Sequence, residues 1–240
     1  MNNNQIDKKI DKKIYIVSGA GLSAESGIRT FRDTDGLWEE YTIEEVCSVG
    51  GFEKDRQKVL DFYDARRADL EQKEPNHAHK KLAELANAYP NNIVMLTQNV
   101  DDMLERAGCK NLIHLHGTLT DLRCEDCGKV FPIAYKTQEG AICPACNSTN
   151  IRHNVVMFGE AAPEYQHLSK LYAQADMVVV IGTSGQVIDT AYMARQVKES
   201  ILNNLDVDEF HDKAFKHKFY LPATQAVDEV CALIENFLEA

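Results

Sequence analysis

At 240 residues the chain can form one large domain or a domain with an insert, and 44% hydrophobic residues are enough for a buried core. A formal net charge of −11 argues against general affinity for nucleic acid or anionic membranes. The longest apolar run, 177–181, is far too short to span a bilayer.

The N-terminal MNNNQIDKKIDKK lacks an apolar signal region and reads as a polar lead-in, so a cytoplasmic protein is expected. The apolar run 14–17 reads as a first buried strand and leads into a glycine-rich stretch, GAGLSAESGIRTFR. Residues 33–75 are helical in pattern and strongly charged, with no clear strand. A helix over 79–88, a strand over 93–97, a helix over 101–107 and a strand over 112–115 follow. Residues 121–152 break the rhythm with paired cysteines and turn formers. A strand over 155–158, a helix over 165–173, a strand over 177–181 and helices over 190–199 and 226–237 complete the pattern. Short apolar strands alternating with helices predict an α/β fold with a doubly wound, Rossmann-like parallel sheet. The expected organisation is a single domain over 1–240. Its core is drawn from about 12–38, 76–120 and 153–240. A helical insert near 39–75 and a zinc insert near 121–152 form a smaller module.

Four of the seven cysteines form two pairs, Cys124-x2-Cys127 and Cys143-x2-Cys146, fifteen residues apart. Two such knuckles can place four thiolates at the corners of a tetrahedron, which suits one Zn2+ ion. Gly128 and Pro144 fit the tight turns. Four sulfur ligands close the coordination shell and leave no place for water or substrate, so the metal is read as structural. A redox dithiol needs one pair and leaves the second without a purpose. Cys47, Cys109 and Cys231 read as buried, inert thiols.

Gly19-x-Gly21 after a strand suits a dinucleotide phosphate turn, but the ordinary fingerprint also needs an acidic residue ending the next strand about twenty residues on. Here that place holds Leu37-Trp38-Glu39-Glu40 in a polar helical stretch, and the next strand arrives only near Ile93. What remains is a phosphate-cradling turn. Arg29 and Arg32 stand nearby, either as donors to a pyrophosphate or ribose or as surface charges.

GAGLSAESGIRTFR resembles the NAD-binding signature of the sirtuins, the NAD-dependent protein lysine deacylases. The resemblance runs on through Thr97-Gln98-Asn99-Val100-Asp101, His114-Leu115-His116-Gly117, the paired CxxC motifs, Phe158-Gly159-Glu160-x-x-Pro163 and Gly182-Thr183-Ser184, in the family's order from about residue 12 to 237. It implies NAD as co-substrate and acylated-lysine proteins as substrates; the acidic charge separately leads to no expected membrane or direct nucleic-acid partner. It assigns cofactor contacts to Gly19, Ala20, Gly21, Ser23, Ala24, Gly27, Thr30, Phe31, Arg32 and Trp38 of the glycine loop. Further contacts fall on Gln98, Asn99, Val100 and Asp101, and on Gly182, Thr183 and Ser184 at the carboxyl end of a strand. Asn204, Leu205, Asp206 and Ala223 match the family's adenosine contacts less closely. Asn99 and Asp101 could instead only cap the following helix.

The same resemblance makes His116 the general base, a role suited to a side chain whose ordinary pKa lies near working pH. In this chemistry the acyl oxygen of a modified lysine replaces nicotinamide on the ribose. The base then deprotonates a ribose hydroxyl, and water completes the release of lysine, nicotinamide and O-acyl-ADP-ribose. His114, two residues earlier on a strand, is expected to face away and to be structural. Val156, Phe158, Gly159 and Glu160, with Gly185-Gln186-Val187, match the family's peptide-binding segments, between which the substrate adds as a strand.

Tyr63 and Arg66, three apart in a helical pattern, share a face. A phenol and a guanidinium in an apolar channel suit a carboxylate, while the bland reading is a solvated charged face. The resemblance to the bacterial and mitochondrial-type sirtuins, where Tyr-x-x-Arg marks desuccinylases, implies removal of acetyl and succinyl, and of malonyl, groups. Two departures stand out: Leu104 replaces a common histidine, and Ile188-Asp189 occupies a place near which proline is usual. Two other readings share these residues. One is a protein ADP-ribosyltransferase with the same site. The other is a non-enzymatic, zinc-containing NAD sensor whose cysteine insert is a ribbon that binds nucleic acid, for which Arg123, Lys129, Lys136 and Arg152 are too diluted by Glu125, Asp126 and Glu139.

Overall fold

The computed structural model describes residues 12–29 and 41–240. The elements, in chain order, are β1 (Ile14–Ser18), α1 (Ile43–Cys47), α2 (Val49–Lys54), α3 (Arg56–Glu71), α4 (His77–Ala88), β2 (Ile93–Thr97), α5 (Met103–Arg106) and β3 (Leu112–His114). They continue with β4 (Gly117–Cys124), β5 (Val130–Pro132), β6 (Ile151–Val155), α6 (Tyr165–Tyr172), β7 (Met177–Ile181), α7 (Thr190–Arg195), β8 (Glu199–Asn204), α8 (Glu209–Asp212), β9 (His217–Tyr220) and α9 (Ala223–Glu239).

β1 is IYIVS and buried throughout, as a central parallel strand must be when helices cover both faces. It pairs in parallel with β2 on one side and β7 on the other, and the sheet order is β3-β2-β1-β7-β8-β9. Alternation sends Ile14 and Ile16 to one face, where they meet Leu82 and Ala86 of α4 and Val230 and Ile234 of α9. Tyr15 and Val17 go to the other face, against Leu168 of α6 and Met193 of α7. The order reverses direction between β1 and β7, so a crevice opens there at the carboxyl ends of the strands.

The smaller part has two pieces. α1–α3 bury Val46, Val59, Phe62, Tyr63 and Leu70 against Leu119, Val155 and Met157. A three-stranded antiparallel sheet, β5-β4-β6, carries the cysteines. The charged stretch still forms helices because its starts are capped. Thr42 and Glu45 make a reciprocal capping box at α1, and the Asp55 side chain accepts from Lys58 N–H at α3.

Three expectations change. The run 155–158 is not a strand of the main sheet. The strand is β6, four residues earlier, and it lies antiparallel to β4. Its sequence, IRHNV, disguises it, because Arg152 and His153 are buried on a strand that a polar pattern conceals. The helix expected over 190–199 ends at Arg195, and Glu199 opens β8. β8 and β9 add a fifth and sixth parallel strand; their glutamate, asparagine, histidine and lysine residues mask the apolar signal. None of the described helices is long and apolar enough to cross a membrane.

Candidate active site

The carboxyl ends of β1, β2, β3, β7 and β8 converge on one crevice. The loop after β1 makes two tight turns, Ala20–Leu22 and Ala24–Ser26. Its first glycines are dictated by close approach. A Cβ on Gly19 would stand 2.7 Å from the Gly182 carbonyl oxygen, and one on Gly21 would stand 2.7 Å from Gly182 Cα. Gly182 itself has φ +66, in the left-handed region, and a Cβ there would lie 2.5 Å from Leu22 N. Gly19 and Gly21 donate to the Ile181 and Gly182 carbonyls at 2.9 Å each. The glycine loop is therefore locked backbone to backbone onto the end of β7.

The side chains behind this lock form one hydrogen-bonded cluster. Ser23 Oγ donates to Asp101 at 2.8 Å and accepts from Asn99 Nδ2 at 3.0 Å. His79 Nδ1 accepts the Asn76 N–H at 3.2 Å, so Nε2 carries the proton and donates to Ser23 Oγ, also at 3.2 Å. Burial lowers the His79 pKa to about 4 and keeps the ring neutral. Asp101 also accepts from Met103 N–H at 3.1 Å, so it serves both as the helix-start cap and as part of the site. Burial raises its pKa, with the Ser23 and Met103 bonds pulling the other way. Gln98 donates to Thr183 Oγ1 at 3.1 Å, and Asn204 donates to the Thr183 carbonyl at 2.9 Å. Val100 contributes its carbonyl to Leu119 N–H.

His116 lies just past β3. Its position is set from behind by Gly117, whose φ is +78 and whose added Cβ would strike the Asn154 carbonyl at 2.0 Å. The His116 carbonyl accepts Val156 N–H at 2.9 Å. Nδ1 faces the Gln98 carbonyl at 2.9 Å and must donate to it, which leaves Nε2 as the acceptor. Burial lowers the His116 pKa, partly offset by the Gln98 bond, so a neutral ring is favoured. His114 is its opposite. Nδ1 reaches the Asn99 carbonyl and Nε2 reaches Glu105 at 2.5 Å; a carbonyl and a carboxylate both accept, so this setting favours the protonated ring. Burial lowers its pKa, but the Glu105 bond and charge outweigh this and the net shift is upward.

Tyr63 is buried and stacks on His153 with centroids 3.8 Å apart. Its hydroxyl is hydrogen-bonded with the Cys47 thiol. Arg66 lies within electrostatic reach of Cys47, Tyr63 and Asp101, and burial lowers its pKa against those charges. The α3 face carrying this pair is thus turned inward, toward the Asp101 segment. Phe158 runs beside Ser48: its N–H donates to Cys47 O at 2.8 Å and its carbonyl accepts Val49 N–H at 3.0 Å. Phe158 and Val187 are half-exposed apolar side chains. The Glu160 carboxylate is committed to Arg152, Arg123 and Met157 N–H, so it braces this segment from inside.

Of the other sequence candidates, Thr30, Phe31, Arg32 and Trp38 lie outside the described residues. Arg29 is exposed, Leu205 is well exposed, and Ala223 is buried in the main core. The two departures have local reasons. Leu104 fills the main core, and Asp189 caps α7 by accepting from Tyr192 N–H at 2.8 Å. Sequence reasoning missed His79, Tyr165 and the Glu25 carboxylate, which accepts from Thr224 N–H and Oγ1 at the start of α9. No motif marks any of them; the Asn76-x-x-His79 spacing was the one local clue.

The four paired cysteines place their sulfurs within 4.8 Å of one another, with Cys124–Cys146 and Cys127–Cys143 at 3.6 Å. A tetrahedron of Zn–S bonds has edges of about 3.8 Å. The set fits one structural zinc.

The sequence model of the Sir2 family matches residues 19–189, most of the chain. The chain belongs to the Sir2 family. An NAD-dependent protein deacylase of Campylobacter jejuni subsp. jejuni serotype O:2 is 49% identical over 228 residues, covering 95% of this chain and 98% of that relative. A solved Sir2 homolog–NAD complex superposes with a TM-score of 0.82 at 35% identity, covering 96% of this chain and 93% of that one. An ADP-ribose complex of a mutant Sir2 homologue gives 0.82 at 32% identity, covering 100% and 98%. Membership of the Sir2 family brings NAD-dependent lysine deacylation, and the crevice fits the cofactor. A neutral set of amides and hydroxyls with one buried carboxylate lies at the strand-order reversal, where parallel sheets bind dinucleotides.

Proposed function

We propose that this Sir2 protein removes acetyl and succinyl groups, and malonyl groups, from protein lysines, with His116 as the general base and Tyr63 with Arg66 as the acid-acyl recognition pair. NAD, when bound, supplies the ribose carbon that accepts the acyl oxygen and the hydroxyl whose proton the base takes. The observation that carries the base assignment is the pinned tautomer: Nδ1–H is fixed on the Gln98 carbonyl and Nε2 is left as acceptor at the crevice. A neutral imidazole with a downshifted pKa is ready to take a proton at neutral pH. Asp101 offers a carboxylate beside a site where positive charge develops, and the Ser23–Asn99–His79 cluster holds it in place. The fixed backbone of Val156 and Phe158 and the exposed apolar side chains of Phe158 and Val187 support docking of an extended peptide between the two segments.

Arg66 carries the choice of acyl group. A guanidinium beside a phenol rewards an acyl chain that ends in a carboxylate, by a charge-assisted bond of about 1.5–3 kcal/mol. The test is an assay of Arg66→Met on acetyl- and succinyl-lysine peptides. Succinyl activity is expected to fall roughly 10- to 100-fold more than acetyl activity. An equal fall in both would remove the acid-recognition role. Nicotinamide and O-acyl-ADP-ribose should form in equal amounts; ADP-ribose attached to the peptide would favour the transferase reading instead.

A further inference from the structure

His116 has a second partner that deacylation leaves unused. The Tyr165 hydroxyl lies 2.6 Å from His116 Nε2, with the ring centroids 5.7 Å apart and the planes tilted by 49°. Because Nδ1 must donate to the Gln98 carbonyl, Nε2 of the neutral ring holds the only lone pair in the ring plane. The phenol therefore donates to it. One lone pair serves one donor well, so a ribose hydroxyl and the phenol cannot both be bound there. Tyr165 opens α6, and its N–H is bonded to the Ala162 carbonyl at 3.1 Å. The turn leading to it begins at Gly159, whose φ is +95, and Glu160, which is held by Arg152. The segment that fixes the peptide-facing backbone thus also delivers the phenol to the base.

We propose that Tyr165 is a positioning residue that caps His116 Nε2 in the cofactor-free protein and leaves it when NAD binds. This rests on the reading of His116 as the base. The cap holds the imidazole in its working tautomer and fills the acceptor until the ribose arrives. A ribose hydroxyl that takes this acceptor displaces the phenol, so the cap weakens cofactor affinity by the net worth of one hydrogen bond.

The experiment is a double-mutant cycle on NAD affinity, measured by calorimetry without acyl peptide so that nothing turns over. Tyr165→Phe is expected to bind NAD roughly three- to tenfold more tightly than the parent protein. In a His116→Ala background the same change should alter the Kd less than twofold, because there is no base to cap. Equal tightening in both backgrounds would place the effect elsewhere and overturn the cap, as would unchanged or weaker binding in Tyr165→Phe. A hundredfold loss of turnover with unchanged NAD affinity would make the phenol a proton relay and also overturn it. The parent reading fails separately: deacylation that survives in His116→Ala removes the base assignment, whatever the binding cycle gives.

Discussion

At the scale of single residues, two nearby histidines are pushed in opposite directions by their surroundings, and the proposed base is the one held neutral. Burial holds His116 below the ordinary 6.5, while Glu105 holds His114 above it. kcat/KM reports the free enzyme, so its acid limb should inflect below 6.5, with activity lost as pH falls and His116 becomes protonated. A pH–rate profile with an inflection above 6.5 would point to another group. His116→Ala should cost 100-fold or more in kcat. Gly182→Ala tests the loop lock. Its left-handed backbone strains any side chain by about 1–2 kcal/mol, and the new Cβ meets the backbone of Gly21 and Leu22, which cannot rotate away. The expected result is weakened NAD binding together with a Tm several degrees lower; a variant with wild-type affinity would show that the contact is not limiting. Most of this candidate site was legible through the sirtuin resemblance, whose motifs carry Gly19, Gln98, Asn99, Asp101, His116 and Gly182, and the structure gathers these residues at the carboxyl ends of the strands. His79 and Tyr165 were not legible, because each reaches the site from a distant element and neither the helical pattern around His79 nor the turn before Tyr165 announces a partner.

At the scale of elements, β4–β6 show why the metal is structural. The buried centre of this sheet is Leu122, Cys124, Cys143 and Ile151, so two of its four residues are metal ligands. Without the ion, that core is too small to offset the ordering of three strands. Cys143→Ser should lose the zinc, read by atomic emission, and β4–β6 amides should lose hydrogen-exchange protection while β1, β2 and β7 keep theirs. Protected β4–β6 amides in a zinc-free protein would sink the structural reading. Catalysis should fall with the metal even though no ligand touches the crevice, because Gly117 in β4 and Asn154 in β6 together seat His116. The cysteine spacing gave this module away. The strands around it were harder to read, since β6 buries Arg152 and His153 and its bracing ions, Glu125 and Glu160, come from other parts of the chain. β8 and β9 were harder to read for a related reason: Glu199, Ser200, Asn203 and Asn204 interrupt the apolar run of β8, which is an interior strand, and the edge strand β9 carries His217 and Lys218.

At the scale of the whole molecule, the buried histidines tie folding to pH. His79 and His153 are both almost fully buried. Burial lowers the His79 pKa to about 4. Burial first, and then the nearby Arg67, Arg123 and Arg56 charges, lower that of His153 to about 3. In the unfolded chain both sit near 6.5. Above that value neither state binds the protons and the two groups leave stability unchanged. As pH falls below 6.5 the unfolded chain takes up protons that the folded chain refuses, so stability declines until the folded values are reached. Each pKa unit is worth about 1.4 kcal/mol, so each histidine removes on the order of 3 kcal/mol or more, a large share of the 5–15 kcal/mol typical of a domain. His114, with its raised pKa, works in the opposite sense: its contribution is fully present below 6.5 and lost as pH rises through its folded value. Acid unfolding should therefore set in between pH 6.5 and 4. The variant His153→Phe isolates one of the two protons, because phenylalanine can keep the ring stack on Tyr63 and the edge contact with Phe52 but cannot titrate. Its acid-unfolding midpoint, followed by circular dichroism, should move to lower pH with a shallower dependence on pH. If parent and variant unfold at the same pH, protonation of His153 does not drive the transition, and the carboxylates of the Arg152 network become the groups to replace next.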